Sequence, residues 1–430
     1  MTVIGLIICS GWCVSAVRGL TRRVVRIARQ RGSRRLARDG VAMLVEDLIA
    51  PRLRDYFERR ALTERDLVAI CRSEGSFFDH YGPRETFQLD LPTTPTGYSG
   101  HELEYMTETY LSEIAINAPY VCELRDVDLV GPHAVPVKDG CYVYENSLES
   151  WQRLTTSCIL ALGHGTVPRQ RRRGTGDRLD DVVSLVGPWN ANYTHWFQDY
   201  LARLEGLEHY VAATDRRPDV LIPSNANQWM LDAIRAMGYP PDRWIEWKGG
   251  RLNVDRFVVA SVRREARERA VNRRLLYSPT EFEWIRDRVL ANVEPERTCP
   301  HAPRIYISRA GATVRRVENE TETMDLLTEW DFVRYAPEDL SFAEQVTLFS
   351  QAEAIVAPHG AGLMNQIWAD EATVIEIFGP KHGVTDPAMW YYLADLLGHD
   401  YGCLQGETVG PDVRVDIDAL ESLLGRMLEA

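Results

Sequence analysis

From residue 182 onward, short apolar runs alternate with longer stretches in which apolar positions recur every three or four residues. The first pattern predicts buried strands, the second amphipathic helices. Strands are predicted at 181–186, 219–223 (DVLIP), 256–262 (RFVVASV), 304–309 (RIYISR), 332–337 (FVRYAP), 354–358 (AIVAP) and 373–378 (TVIEIF). Helices are predicted at 194–209, 227–238, 280–293, 320–330, 341–352, 386–397 and 415–429. Such alternation implies α/β architecture, with a parallel sheet covered on both faces. Two sets joined by a linker suggest two Rossmann-like domains with a cleft between them. Upstream the pattern changes. Residues 119–146 read as short strands and turns, 167–181 as a polar exposed loop, and 39–100 as a charged helical segment ending in a Pro/Gly/Thr-rich loop. The predicted organisation is therefore 1–38, a separate segment; 39–100, a helical and loop appendage; 101–275, one α/β domain; and 276–430, a second. No fixed-period repeat is visible.

Charge separates the first segment from the rest. Residues 1–38 hold nine Arg and no Asp or Glu, while the whole chain of 430 residues has a net charge of −13, so the remainder stands at −22. An acidic body argues against non-specific nucleic-acid binding, which needs a basic face. Residues 2–17 are uncharged but too short for a full membrane crossing, and 18–38 interleave Arg with Leu, Val, Ile and Ala. That pattern predicts a basic amphipathic segment at the anionic, cytoplasmic face of a membrane, peripheral or N-terminally anchored; a disordered start on a cytoplasmic protein is the other reading. The eight Cys show no CxxC and no zinc spacing, and free thiols are expected.

Three stretches in the last third carry candidate chemistry. In AIVAPHGAGLMNQIW an apolar strand runs into His359, Gly360, Ala361 and Gly362, then a helix near Leu363. Small residues and free helix-start amides suit an anion such as a diphosphate; a tight turn that needs glycine is the plainer reading. In RIYISRAGATVRRVENE, Ser308 and Arg309 end a strand, and Arg315, Arg316 and Asn319 follow in a loop. Guanidiniums beyond a strand's carboxyl end can grip phosphate; a solvated Arg315 is the simpler expectation. Ser341 and Glu344 form a capping box, so Glu344 is explained structurally at least as well as functionally. Glu376, in an apolar strand, needs a partner: a ligand hydroxyl, or a buried Arg or Lys381.

A fourth stretch, GPWNANYTHWFQDYLARL, follows an earlier strand. Phe197, Leu201 and Leu204 share one helical stripe. His195 and Asp199, at i and i+4, fall about opposite it. Such a pair can serve general-base work, or be an exposed surface ion pair.

In order, W-N-x-N-Y-x-H-W-x-x-D, I-S-R…R-R-x-x-N-E, L-S-F-x-E-Q and P-H-G-A-G-L-x-N resemble glycosyltransferase family 61. That family includes plant xylosyl- and arabinosyltransferases, animal O-linked GlcNAc transferases and microbial capsular-polysaccharide proteins. The resemblance covers roughly 120–405. It implies a two-domain GT-B fold and an inverting transfer from a nucleotide sugar, most simply UDP-linked, to a glycan, glycolipid or protein acceptor. It implies no cofactor and no obligatory metal; the D-x-D runs at 126–128 and 416–418 lie away from the other motifs. Carried over, Asp199 is the general base and His195 its support. Ser308, Arg309, Arg316, Asn319, Glu344, His359, Gly360, Ala361, Gly362, Asn365 and Glu376 fall on the donor side. Asn190, Asn192 and Trp196 fall on the acceptor side. One departure is Leu201-Ala202-Arg203-Leu204, where many relatives have a proline. The competing class is a non-catalytic relative that binds nucleotide or glycan in a membrane-associated assembly.

Overall fold

A computed structural model describes residues 55–95, 114–145, 157, 178–264, 277–293, 302–379 and 389–429. The basic segment 1–38 and Lys381 lie outside them. The chain divides into two compact units. The smaller takes Met1–Leu67, Val127–Arg178 and Gly249–Asn253. Its strands Val135–Lys138 and Cys141–Val143 form a hairpin, and Ala61–Leu62 joins the hairpin in parallel. Asp128 accepts hydrogen bonds from Arg251 and Asn253 within the same unit.

The larger unit takes Val68–Asp126, Leu179–Lys248 and Val254–Ala430, and holds both predicted strand–helix sets. In its first sheet, Arg178–Ser184, Asp219–Pro223 and Trp244–Trp247 run parallel. Its second sheet is wholly parallel, in the order Val333–Tyr335, Arg304–Ile307, Ala354–Pro358, Thr373–Phe378, Asp400–Gln405. The apolar runs that predicted strands are these strands. Strands 244–247 and 400–405 escaped the periodicity because each mixes polar and apolar residues.

Helices start where the capping chemistry places them. Ser278 accepts from the Thr280 amide ahead of Pro279–Asn292. Ser341 and Glu344 close the expected capping box on Phe342–Phe349. Asp416, the first acid of the second D-x-D run, caps Ile417–Leu428 by accepting from the Ala419 amide. One face of the second sheet buries Leu326, Leu327, Leu420, Leu423 and Leu424 against Val356 and Ile375.

The helix predicted over 194–209 is broken. Tyr193–His195 is a single α-turn, Trp196–Leu201 is a π-helix, and Arg203–Thr214 resumes the α form. A π segment pairs i with i+5, so the usual helical wheel does not describe it. All six of its residues are buried. Phe197 meets Phe342 and Trp368, which packs this segment onto the helices flanking the second sheet.

The segment before residue 96 is tied into the larger unit. Thr93 pairs with the outer strand through its amide to Tyr401 O at 2.8 Å and through Cys403 N to its own carbonyl at 2.9 Å. Asp395 accepts from the Asp90 amide at 2.9 Å. Burial, reinforced by the Asp90 charge, pushes the Asp395 carboxyl up to about 6. A raised carboxylate favours the folded state below its unfolded value, about 4, and loses that contribution as pH climbs through the folded value. Asp395→Asn should therefore melt close to the wild type near pH 4 and increasingly above it towards neutrality, in thermal melts across that range; parallel curves would refute the assignment.

Candidate active site

Numbered within the second sheet, the strand order is 2-1-3-4-5, so the chain reverses direction between Arg304–Ile307 and Ala354–Pro358. Ligands of open α/β sheets bind beyond the carboxyl ends of strands at such a reversal. Ser308 and Arg309 follow the first of these strands, and His359 and Gly360 the second. The Arg309 guanidinium lies over Gly360, where any Cβ would collide with its Nη1. Gly360 has extended backbone (φ 169°), so what requires glycine there is space.

Arg315 stands beside Arg309. Its backbone is left-handed (φ 59°), pinned by its amide donating to Pro411 O at 2.8 Å. The Nε atoms of both arginines are buried without a hydrogen-bond partner among the described residues. Burial, and then the like charge of Arg315, pulls Arg309 down to about 10. Burial lowers Arg315 as well, against the opposing pull of Glu376. Arginine stays charged under these shifts, so two half-buried cations stand together here with no ion pair of their own among the described residues.

His359 completes this cluster. Its Nδ1–H is committed to Glu376 in a short hydrogen bond, and Tyr401 donates to the other carboxylate oxygen at 2.5 Å. Glu376 is fully buried, so its partners are His359 and Tyr401, a pairing the sequence did not suggest. The imidazole stacks on Phe378, which leaves Nε2 as the atom able to meet a ligand.

Five other residues expected on the donor side are engaged structurally. Ser308 donates to Glu320 at 2.6 Å. Arg316 is exposed and pairs with Asp412 through Nε and Nη2. Asn319 joins the start of Glu320–Glu329 to Val415, donating to its carbonyl and accepting from its amide. Glu344 holds the capping box. Asn365 accepts from Tyr193 Oη at 2.7 Å and Trp368 Nε1 at 3.1 Å, and donates to Gln345. Ala361 and Gly362 open a 3-10 helix, Ala361–Trp368, in place of the α-helix expected near Leu363.

The second cluster follows strand 178–184. His195 Nδ1 bonds Asp199 Oδ2 at 2.8 Å, with side-chain exposures of 18% for His195 and 0% for Asp199. Tyr277 donates to the other Asp199 oxygen in a short bond. The π-wound segment thus turns Asp199 inward; it does not share an outer face with His195 as the helical wheel suggested. Beneath it, burial pushes the fully buried Glu281 carboxyl well up, towards the neutral acid. Asn192 caps the first turn by accepting from His195 N, and Asn190 is half-buried. Trp196 packs into the core against Tyr200 and Trp229. Tyr277 and Tyr401 carried no motif that would single them out in the sequence; Arg315 stood in the R-R motif but was expected to be solvated, whereas it is half-buried beside Arg309.

Residues 193–375 match the family described as Glycosyltransferase 61. That stretch belongs to glycosyltransferase family 61. The match takes in His195, Asp199, Arg309, Arg315 and His359, and the general activity is that of a glycosyltransferase. No curated protein matches the chain. Within the family 61 stretch, Asn365 ties the turn that carries His195 to the helix that follows His359. Asn365→Ala would strand the buried Tyr193 hydroxyl, the Trp368 indole N–H and the Gln345 carboxamide. It should lower unfolding stability by about 1–3 kcal/mol for each group left unsatisfied, read from urea denaturation.

Proposed function

We propose that the chain is an inverting, GT-B-type glycosyltransferase that moves a sugar from a nucleoside-diphosphate donor, most simply a UDP-sugar, to an acceptor hydroxyl. The observation that carries this reading is the pair of half-buried guanidiniums at the sheet reversal, Arg309 and Arg315, whose Nε atoms are buried with no hydrogen-bond partner among the described residues. A diphosphate gains negative charge as the sugar leaves. Fixed cations in a partly dry site stabilise that charge with little reorganisation. His359, oriented by Glu376, presents Nε2 to the same phosphates. In this mechanism the guanidiniums supply the positive charge and no metal is required.

On the acceptor side we assign the proton-accepting role to His195, with Asp199 behind it. Both Asp199 oxygens are occupied and the residue is fully buried, whereas His195 remains partly accessible. With Nδ1–H held by Asp199, Nε2 takes the proton of the attacking hydroxyl. The carboxylate then stabilises the imidazolium that forms. The hydroxyl oxygen attacks carbon one from the face opposite the departing diphosphate, which inverts that centre. The Arg-rich segment 1–38 would bring this chemistry to the cytoplasmic face of a membrane and to a glycan, glycolipid or glycoprotein acceptor.

The donor site is tested by thermal shift with UDP and UDP-sugars. A ligand at 100 times its dissociation constant should add about 2.7 kcal/mol of stability. Arg309→Ala should abolish the shift. Gly360→Ala should weaken it while the free protein melts normally, because the collision is with the far end of a flexible side chain. No shift with any nucleotide would overturn the donor site. Separately, His195→Ala and Asp199→Asn should keep the nucleotide shift and lose transfer at least a hundredfold, as expected for general-base loss. Equal loss of both readouts would refute the acceptor-side roles.

A further inference from the structure

Trp189 opens the W-N-x-N motif but was given no donor or acceptor role, and it lies just outside residues 193–375. Its backbone is left-handed, at φ 65°. A bulky residue is disfavoured there, and Gly or Asn would adopt the same turn with less strain. The loop holds it firmly. Asn192 N donates to the Trp189 carbonyl at 2.8 Å, and Tyr200 donates to the neighbouring Pro188 carbonyl. Gly187 is packed so closely on Tyr200 that a Cβ would strike the ring. Core burial does not explain the strain, because Trp189 remains 49% exposed. Its ring lies against the His195 ring, with centroids 5.3 Å apart and planes 31° apart.

A strained, half-exposed indole is thus fixed beside the imidazole assigned to proton transfer. Strained residues persist where a function requires the side chain they carry. An indole face carries negative charge density and is apolar. It suits a flat partner that is apolar on one face and polar at its rim, and a sugar ring has that shape: C–H bonds on one face, hydroxyls around the edge. The amides of Asn190 and Asn192 flank the same turn and can take up rim hydroxyls. A lipid chain would need a run of exposed apolar side chains. Among the described residues the other large exposed apolar side chains are Tyr56, Leu91, Leu290 and Val333, none of which neighbours Trp189 in the chain.

We infer that Trp189 is the platform on which a sugar ring of the acceptor stacks, with a rim hydroxyl presented to His195, and that the acceptor is a carbohydrate. The inference rests on the acceptor-side reading of His195 given above. It makes Trp189 a specificity-determining residue whose contact with substrate is independent of the nucleotide.

Saturation-transfer NMR on the full chain can test this with cellobiose, xylobiose and N,N′-diacetylchitobiose as probes, and with dodecyl phosphate and a Ser/Thr peptide as comparators. At least one disaccharide should receive saturation at its ring C–H protons. Trp189→Ala should weaken that binding roughly tenfold, and Trp189→Phe should retain most of it. Both variants should still melt cooperatively and should keep the UDP shift. Disaccharide binding unchanged in Trp189→Ala would overturn the platform. Binding of only dodecyl phosphate or only the peptide, or of no probe at all, would overturn the carbohydrate acceptor. A Trp189-dependent sugar signal in a protein that shows no nucleotide shift would leave the platform standing and remove the donor reading alone.

Discussion

A carboxylate taken out of water must find donors, and this constraint arranges both halves of the site. Asp199 and Glu376 are each fully buried, and each meets the demand in the same way. One oxygen takes a histidine Nδ1–H and the other a tyrosine hydroxyl, from Tyr277 or Tyr401. The histidine is fixed as a by-product, with its second nitrogen turned outward. The two carboxylates sit on a π-wound segment and on a central strand, elements with little freedom to move. The orientation of both imidazoles therefore depends on core groups, and each Nε2 is the outer end of a buried relay.

The opposite imbalance holds at the sheet reversal. Arg309 and Arg315 are held close together by backbone contacts to Val314 and Pro411 instead of by acids. An acidic chain with carboxylates in excess leaves these two cations without an ion-pair partner among the described residues. The next residue, Arg316, shows the contrast: it turns outward and is neutralised by Asp412. Adjacent arginines in one loop thus separate into one that lies beside Arg309 and one that is paired with an acid.

Much of the larger unit was legible in the sequence, because buried parallel strands and amphipathic helices leave strong periodic signals. That Arg309 and the glycine loop each follow a strand was legible for a related reason, since apolar strands end at polar or small residues. What could not be read was side-chain direction. Arg315 and Arg316 are indistinguishable as letters, and the left-handed backbone of Arg315 itself sends the two side chains apart. Asp199 was placed on an outer face because a regular wheel was assumed where the chain is π-wound. Asn319, Asn365 and Ser308 fall within the recognisable motifs, yet their hydrogen bonds are consumed in holding neighbouring elements together. A motif marks residues that a family needs, and need includes assembly as well as contact with substrate.

The strand added at Thr93 bears on where the folded body begins. Glu85 accepts from Arg263, Ser278 and Thr280, and Thr93 supplies backbone partners to the outer strand of the second sheet. A protein that began after residue 95 would lose both. It would uncover the Tyr401 carbonyl and the Cys403 amide on the outer strand Asp400–Gln405, the kind of edge on which chains pair with one another. Insolubility of such a fragment would then be a matter of an uncovered seam, and would say nothing about the competence of the site it contains.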